Sequence, residues 1–219
     1  PMLIRKDGEE TRQKILDAAC HVFGEKGYRG ATHAAICDRA GVNTAAINYH
    51  FGSKSGLYRA VWDHIVQRVE RLYPTDGGIA PGANATDRLS ATVRALLERR
   101  TDQRSLRPFH NIRMMEMANP SGVLDEAMTR WREKVRAHVV GILKSLLGPE
   151  ATLREIELCE MSIVSQCLMA HGHPRRGSHR PPWHAATADL DVLVAHILRF
   201  SLAGINAVRQ SIDDRGASH

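Results

Sequence analysis

Apolar positions in this chain recur every three to four residues almost from end to end, and no stretch alternates with a period of two. The pattern predicts an all-α protein. From Glu9 to Lys26, Ile15, Ala18, Ala19, Val22 and Phe23 share one helical face, and Gly27 stops the run. Thr32 caps a short helix over 33–39 that closes at Gly41, and Asn43 caps another over 44–50. Ser53 opens a fourth helix, 54–72, with Leu57, Val61, Trp62, Ile65 and Val69 on its buried side. The rhythm fails over 73–86, "YPTDGGIAPGANAT", whose prolines and glycines predict a flexible break. It resumes in helices at 87–103, 106–118, 123–147, 152–171 and 188–212. The expected domains are 1–53, with helix 54–72 connecting, and 73–219.

Helices 33–39 and 44–50 are only two turns long, and a tight turn at Gly41 joins them. That spacing is a helix-turn-helix, whose second helix enters the DNA major groove. Ile36 and Ala40 point inward, Val42 fills the turn, and Ile47 and Phe51 hold the second helix down. Thr44, Ala45, Asn48 and Tyr49 are left facing out. Asparagine pairs bidentately with adenine, and alanine or a threonine methyl packs on the thymine methyl. Tyr49, His50 and Lys54 carry donors for phosphates, and Lys54 sits beside the free amides that open the next helix. The competing reading makes Tyr49 and His50 half-buried packing residues.

Charge agrees with a nucleic-acid partner. The chain has 219 residues and a formal charge of +6. Between Lys26 and Trp62, Lys26, Arg29, Arg39, Lys54 and Arg59 face a single acid, Asp38. Aromatics are only 5%, so the core must be built from Leu, Ile, Val, Ala and Met. The four cysteines form no Cys-x-x-Cys pair and lie in helical patterns, which predicts buried thiols in a reducing compartment. No apolar run reaches transmembrane length by this reading and no signal peptide precedes Met2, so the cytoplasm is expected. No nucleophile–base pair is visible, so neither an enzyme nor a cofactor is predicted. No metal is assigned to His171, His173, His179 and His184 in the loop 171–187, because no Cys or carboxylate stands at ligand spacing.

The run from Thr11 to Val61, with "ILDAACHVFGEKGY", the "AGV" turn and "YHFGSK", resembles the DNA-binding domain of the TetR family of bacterial transcriptional regulators. The resemblance implies that Thr32 and His33 anchor to phosphate at the start of the second helix. It places Thr44, Ala45 and Ala46 on the base-reading part of the third helix, and Tyr49, His50 and Lys54 on the DNA backbone. Many members carry tyrosine where this chain has Asn48, which leaves Asn48 either to read a base edge or to pack. "RMMEMANPSGVLDEAMTRW" (113–131) looks like the C-terminal domain of CecR-type members.

Helices 152–171 and 188–212 are apolar on more than one side. Either they sit centrally in a monomeric bundle, or, as the resemblance implies, they pair with their copies in a homodimer. "FHNIRMMEM" (109–117) suggests an effector site of His110, Arg113, Met114 and Met117, with Trp131 and His138 opposite. The competing reading makes the methionines core filler, and Arg113 with Glu116 a surface pair. The function expected is a ligand-responsive regulator: a repressor dimer on a near-palindromic operator, released by a small molecule. The alternative is a DNA-binding regulator controlled by a protein partner, or an activator, without such a ligand.

Overall fold

The computed structural model describes the backbone of residues 2–169 and 189–217, and side chains from Gly8 onward within those spans. Nine helices and no strand occur among the described residues: α1 Met2–Gly30, α2 His33–Ala40, α3 Thr44–Phe51, α4 Lys54–Leu72, α5 Ala85–Thr101, α6 Arg107–Ala118, α7 Asp125–Leu147, α8 Leu153–Met169 and α9 Leu190–Gly216. The histidine loop expected at 171–187 lies outside the described residues. Two compact units form. The first holds residues 1–71 and 103–132, and the second holds 72–102 and 133–219. Thus α6 and the first turns of α7 pack with the N-terminal helices, although sequence reasoning grouped them with the second part.

In the first unit α1 packs on α2, α3 and α6. Its predicted face, Ile15, Ala18, Ala19, Val22 and Phe23, is buried. Gly27 takes φ 67°, ψ 178° and breaks the α1 run where expected. Phe23 and Tyr28 bring α1 against Tyr58 of α4, with ring centroids 4.5 and 5.1 Å away. Tyr58 donates to the buried carboxylate of Glu116 on α6 at 2.8 Å. The same carboxylate accepts from the Ser121 amide (3.0 Å) and hydroxyl (3.1 Å). Glu116 is therefore no half of a surface pair with Arg113. Burial, then the Glu116 hydrogen bond, pushes the Tyr58 phenol up, so it stays a donor. Arg29 completes the connection from α1 by donating to Asn119 Oδ1 (3.0 Å) and to the Pro120 carbonyl (3.3 Å).

The second unit is a helical bundle. Leu89, Val93 and Leu97 of α5 meet Val139, Ile142, Leu143 and Leu147 of α7, with Ile156 and Ile163 of α8 and Val194, Ile197 and Ile205 of α9. The segment after α4 is not the flexible break that its composition predicts. Arg99 of α5, itself buried, donates Nε to the Tyr73 carbonyl (2.8 Å) and Nη2 to Thr75 Oγ1 (2.7 Å). Tyr73 donates to Asp102 at 3.1 Å. Gly77, at φ 66°, lies so close to α5 that a Cβ there would stand 2.6 Å from the Ala91 carbonyl oxygen. Glycine and proline mark the turns, and a buried arginine holds the start of the segment.

All four cysteines are buried, as expected, and burial pushes the Cys20 and Cys167 thiols up to about 12. The reading of apolar runs needs correction at α9. An 18-residue window of this helix has a mean hydropathy of 1.4, long and apolar enough to cross a membrane by length and composition, and only 28% of it is buried. Charged residues at single positions along the helix, such as Arg199, hid the run from inspection.

Two measurements test this fold. Gly77→Ala adds a side chain where φ is positive and space is closed, so chemical denaturation should show a loss of roughly 2 kcal/mol. Glu155 accepts from Arg215 (2.9 Å) and from the Thr152 amide (2.8 Å), and these bonds, the Arg215 one foremost, lower its pKa from 4.5 to about 2. A depressed carboxylate contributes stability above its ordinary pKa and loses that contribution as pH falls from 4.5 toward about 2. Arg215→Ala should flatten the melting temperature against pH in that window and leave the profile near pH 7 parallel to the wild type.

Candidate nucleic-acid interface

The helix-turn-helix is set by local side chains. Thr32 Oγ1 accepts from the Ala35 amide (3.1 Å) and opens α2, and Gly41 closes it in the left-handed conformation. Asn43 Oδ1 accepts from the Ala46 amide (3.0 Å) and opens α3. Ile36 and Ile47 are fully buried. Ala40, Val42 and Phe51 are half-buried, and the Arg12 guanidinium lies 5.3 Å from the Phe51 ring centre. The Cys37 thiol, at 3.8 Å from Thr44 Oγ1, ties the end of α2 to the start of α3.

That anchoring leaves the opposite face of α3 in solvent. Thr44, Ala45 and Asn48 are exposed, Ala46 is half-buried, and Tyr49 is 85% exposed. Tyr49 does not pack into the domain; its ring meets His50 edge-on at 5.0 Å, and the half-buried His50 leans toward Phe51. Thr32 is exposed, and the half-buried His33 follows it at the first position of α2. Lys54 begins α4, where Ser53 Oγ already caps the Gly56 amide at 3.0 Å. Its ammonium lies 4.7 Å from the Tyr28 ring centre, a cation–π contact that sequence spacing did not suggest. Gly56 of α4 makes a close approach: any Cβ there would collide with the Phe51 carbonyl oxygen.

The residues proposed for an effector divide between the units. His110, Arg113, Met114, Met117 and Trp131 belong to the first, and His138 belongs to the second, where its Nε2 lies 3.0 Å from Thr92 Oγ1. His110 is buried against Phe109, and Met114 is half-buried. Arg113 stacks over Phe109 and Trp131. Met117 is 69% exposed in the chain. Sequence reasoning did not weigh Phe109, the buried ring that gathers Trp62, His110, Arg113 and Trp131 around itself; its sole signal was an aromatic one position ahead of a favoured histidine.

Comparison with known proteins adds two family matches. Residues 15–61 match the model of the bacterial regulatory proteins of the tetR family, and residues 85–205 match that of the C-terminal domain of the HTH-type transcriptional dual regulator CecR. The HTH-type transcriptional regulator SrpR of Pseudomonas putida is 28% identical over 138 residues, which cover 63% of this chain and 62% of SrpR. AcrR of Shigella flexneri is 37% identical over 59 residues, 27% of each chain. The fold is shared with a TetR-like regulator from Rhodococcus (TM-score 0.60, 18% identity, 90% of this chain and 96% of that one). It is shared as well with the fatty acid degradation regulator FadR of Bacillus halodurans (TM-score 0.61, 17% identity, 89% and 95%).

The face built here predicts two kinds of variant. Tyr49→Ala and Lys54→Ala should weaken binding to randomised duplex DNA and lower the slope of log affinity against log salt by about one. Thr44→Ala and Asn48→Ala should leave that slope unchanged and alter which sequences a selection from random duplexes enriches. An unchanged salt slope for Lys54→Ala would remove that lysine from the phosphate contacts.

Proposed function

This chain belongs to the TetR family of bacterial regulatory proteins, with a C-terminal domain of the CecR type, and from that we propose a ligand-responsive repressor that binds its operator as a homodimer. It is a DNA-binding transcriptional regulator rather than an enzyme, as its relatives are. The cytoplasm is where such a protein meets DNA in a bacterium. Recognition is assigned to Thr44, Ala45, Ala46 and Asn48. Phosphate contact is assigned to Thr32, His33, Tyr49, His50 and Lys54.

The observation that carries the dimer is an apolar face left open on α8 and α9. Leu158, Met161 and Leu168 recur at helical spacing along α8 and are exposed. On α9, Val192 and Phe200 are exposed in line with Ala203 and Gly204, and Phe200 is 65% exposed with His196 stacked beside it. A soluble chain rarely leaves such a run bare. A second copy of the same two helices covers it in an isologous four-helix contact, and small Ala203 and Gly204 let backbones approach. This pairing also accounts for the weak burial of α9 without a membrane.

Two recognition helices in one dimer reach successive major grooves of a near-palindromic site. Release then requires an effector that prefers a dimer geometry in which those helices no longer match the groove spacing. His110, Arg113, Met114, Met117 and Trp131, all of the first unit, remain the residues proposed to meet it, and α4 the helix that carries the change. Control by a protein partner, or action as an activator, is the second reading.

Sedimentation should show wild-type dimers, and Phe200→Glu should shift the protein to monomers and weaken operator binding by ten-fold or more while the helical spectrum is kept. A thermal-shift screen of small molecules should yield compounds that raise the melting temperature and displace DNA. Compounds that stabilise without displacing DNA would point to the activator reading.

A further inference from the structure

Cys37, on the last turn of α2, and Thr44, the first residue of α3, stand seven positions apart, and their side chains meet across the turn. The Cys37 thiol donates to Thr44 Oγ1 at 3.8 Å. The backbone fixes both ends of this contact. The Cys37 carbonyl accepts from the amide of Gly41, the left-handed cap, and from the amide of Val42 at 3.2 Å. Cys37 is itself buried. On the other side, Asn43 caps α3 and so sets the backbone at Thr44.

Threonine carries an oxygen and a methyl on one stiff branch point. Inside a helix its hydroxyl chooses a rotamer by bonding a carbonyl one turn back. Thr44 opens α3, so its own helix has no turn behind it. Cys37 supplies a partner instead. A thiol is a weak donor, so the bond adds little to stability. Its effect falls on the rotamer. With Oγ1 turned to the buried thiol, the staggered geometry sends the Cγ2 methyl away from it, and Thr44 as a whole is exposed.

We propose that Thr44 reads its base through this methyl, against the C5-methyl of a thymine in the major groove, and that Cys37 is the positioning residue that aims it. Thymine alone carries a methyl on that edge, so the contact selects one base. A rotated Thr44 would present its hydroxyl, which both donates and accepts and therefore discriminates poorly. The proposal rests on the base-reading assignment of Thr44 above. It adds which atom reads and what holds that atom in place.

The test uses the full-length protein and the duplex it enriches from a random pool. Each thymine is replaced in turn by deoxyuridine, which lacks only the methyl. For at least one thymine, the wild type should bind the deoxyuridine duplex about four-fold more weakly, the worth of one buried methyl. Thr44→Ser should erase that ratio, and Thr44→Val should keep it. Cys37→Ala should about halve it, and so should Cys37→Val, which fills the space without a donor. Valine carries a methyl on both branches, so in the Thr44→Val protein the Cys37 substitutions should leave the ratio alone. General loosening of the turn would lower it in both backgrounds. Circular dichroism checks that each variant is folded. An enriched sequence without thymine, or a ratio of one at every thymine, overturns the methyl contact. So does a ratio that Thr44→Ser keeps and Thr44→Val loses. A ratio that both Cys37 substitutions leave intact, or lower equally in the Thr44→Val protein, removes Cys37 from the positioning role. If the wild type binds DNA but enriches no sequence, the base-reading assignment falls and this inference with it.

Discussion

A carboxylate buried among helices is tolerable only when donors surround it, and Glu116 is the clearest case in this chain. Its three donors come from α4 and from the turn that follows α6. Losing one would leave a buried charge short of a partner, so the elements that supply them are obliged to stay together. Consequently α6 and the 119–122 turn are structural members of the DNA-binding unit, with Arg29 reaching the same turn from α1. The helix-turn-helix is thus built on a base wider than its own three helices.

On that base the residues proposed to face DNA divide by rigidity. Buried Ile47 and half-buried Phe51 clamp α3, while caps at Thr32, Asn43 and Ser53 satisfy the helix openings from within the chain. What remains outside is short or planar: Thr44, Ala45, Asn48 and the ring of Tyr49. Short side chains let a helix press close to base edges, and a ring with a terminal hydroxyl reaches a phosphate at small cost in freedom.

The local features were legible in the sequence because their causes are local. Caps, the Gly41 closure and the buried faces of α1 and α4 depend on residues within one or two turns of each other, so periodicity records them. The contacts that sequence missed join distant residues. Tyr58 and Glu116 stand 58 positions apart, and Arg99 reaches back 26 and 24 positions to Tyr73 and Thr75. Composition marked turns after α4 but had no means of showing that Arg99 bonds Tyr73 and Thr75 there. Phe200 was passed over because a single aromatic in an apolar helix carries no sign of which way it faces; its exposure appeared only once α9 was packed. For the residues proposed to meet DNA, the structure adds that Tyr49 is exposed and that Lys54 lies against the Tyr28 ring.

The cation–π contact of Lys54 with Tyr28 bears on how fast such a protein settles on DNA. A free lysine side chain surrenders up to about 2 kcal/mol of rotamer entropy when a phosphate immobilises it. Tyr28 has already confined this one while the ammonium keeps donors to spare. Much of the ordering is therefore complete before encounter. Sliding along nonspecific DNA makes and breaks phosphate contacts many times, and each cycle then asks for less reorganisation. With Lys54 in its proposed phosphate contact, Tyr28 would set the tempo of the search as much as the strength of the grip.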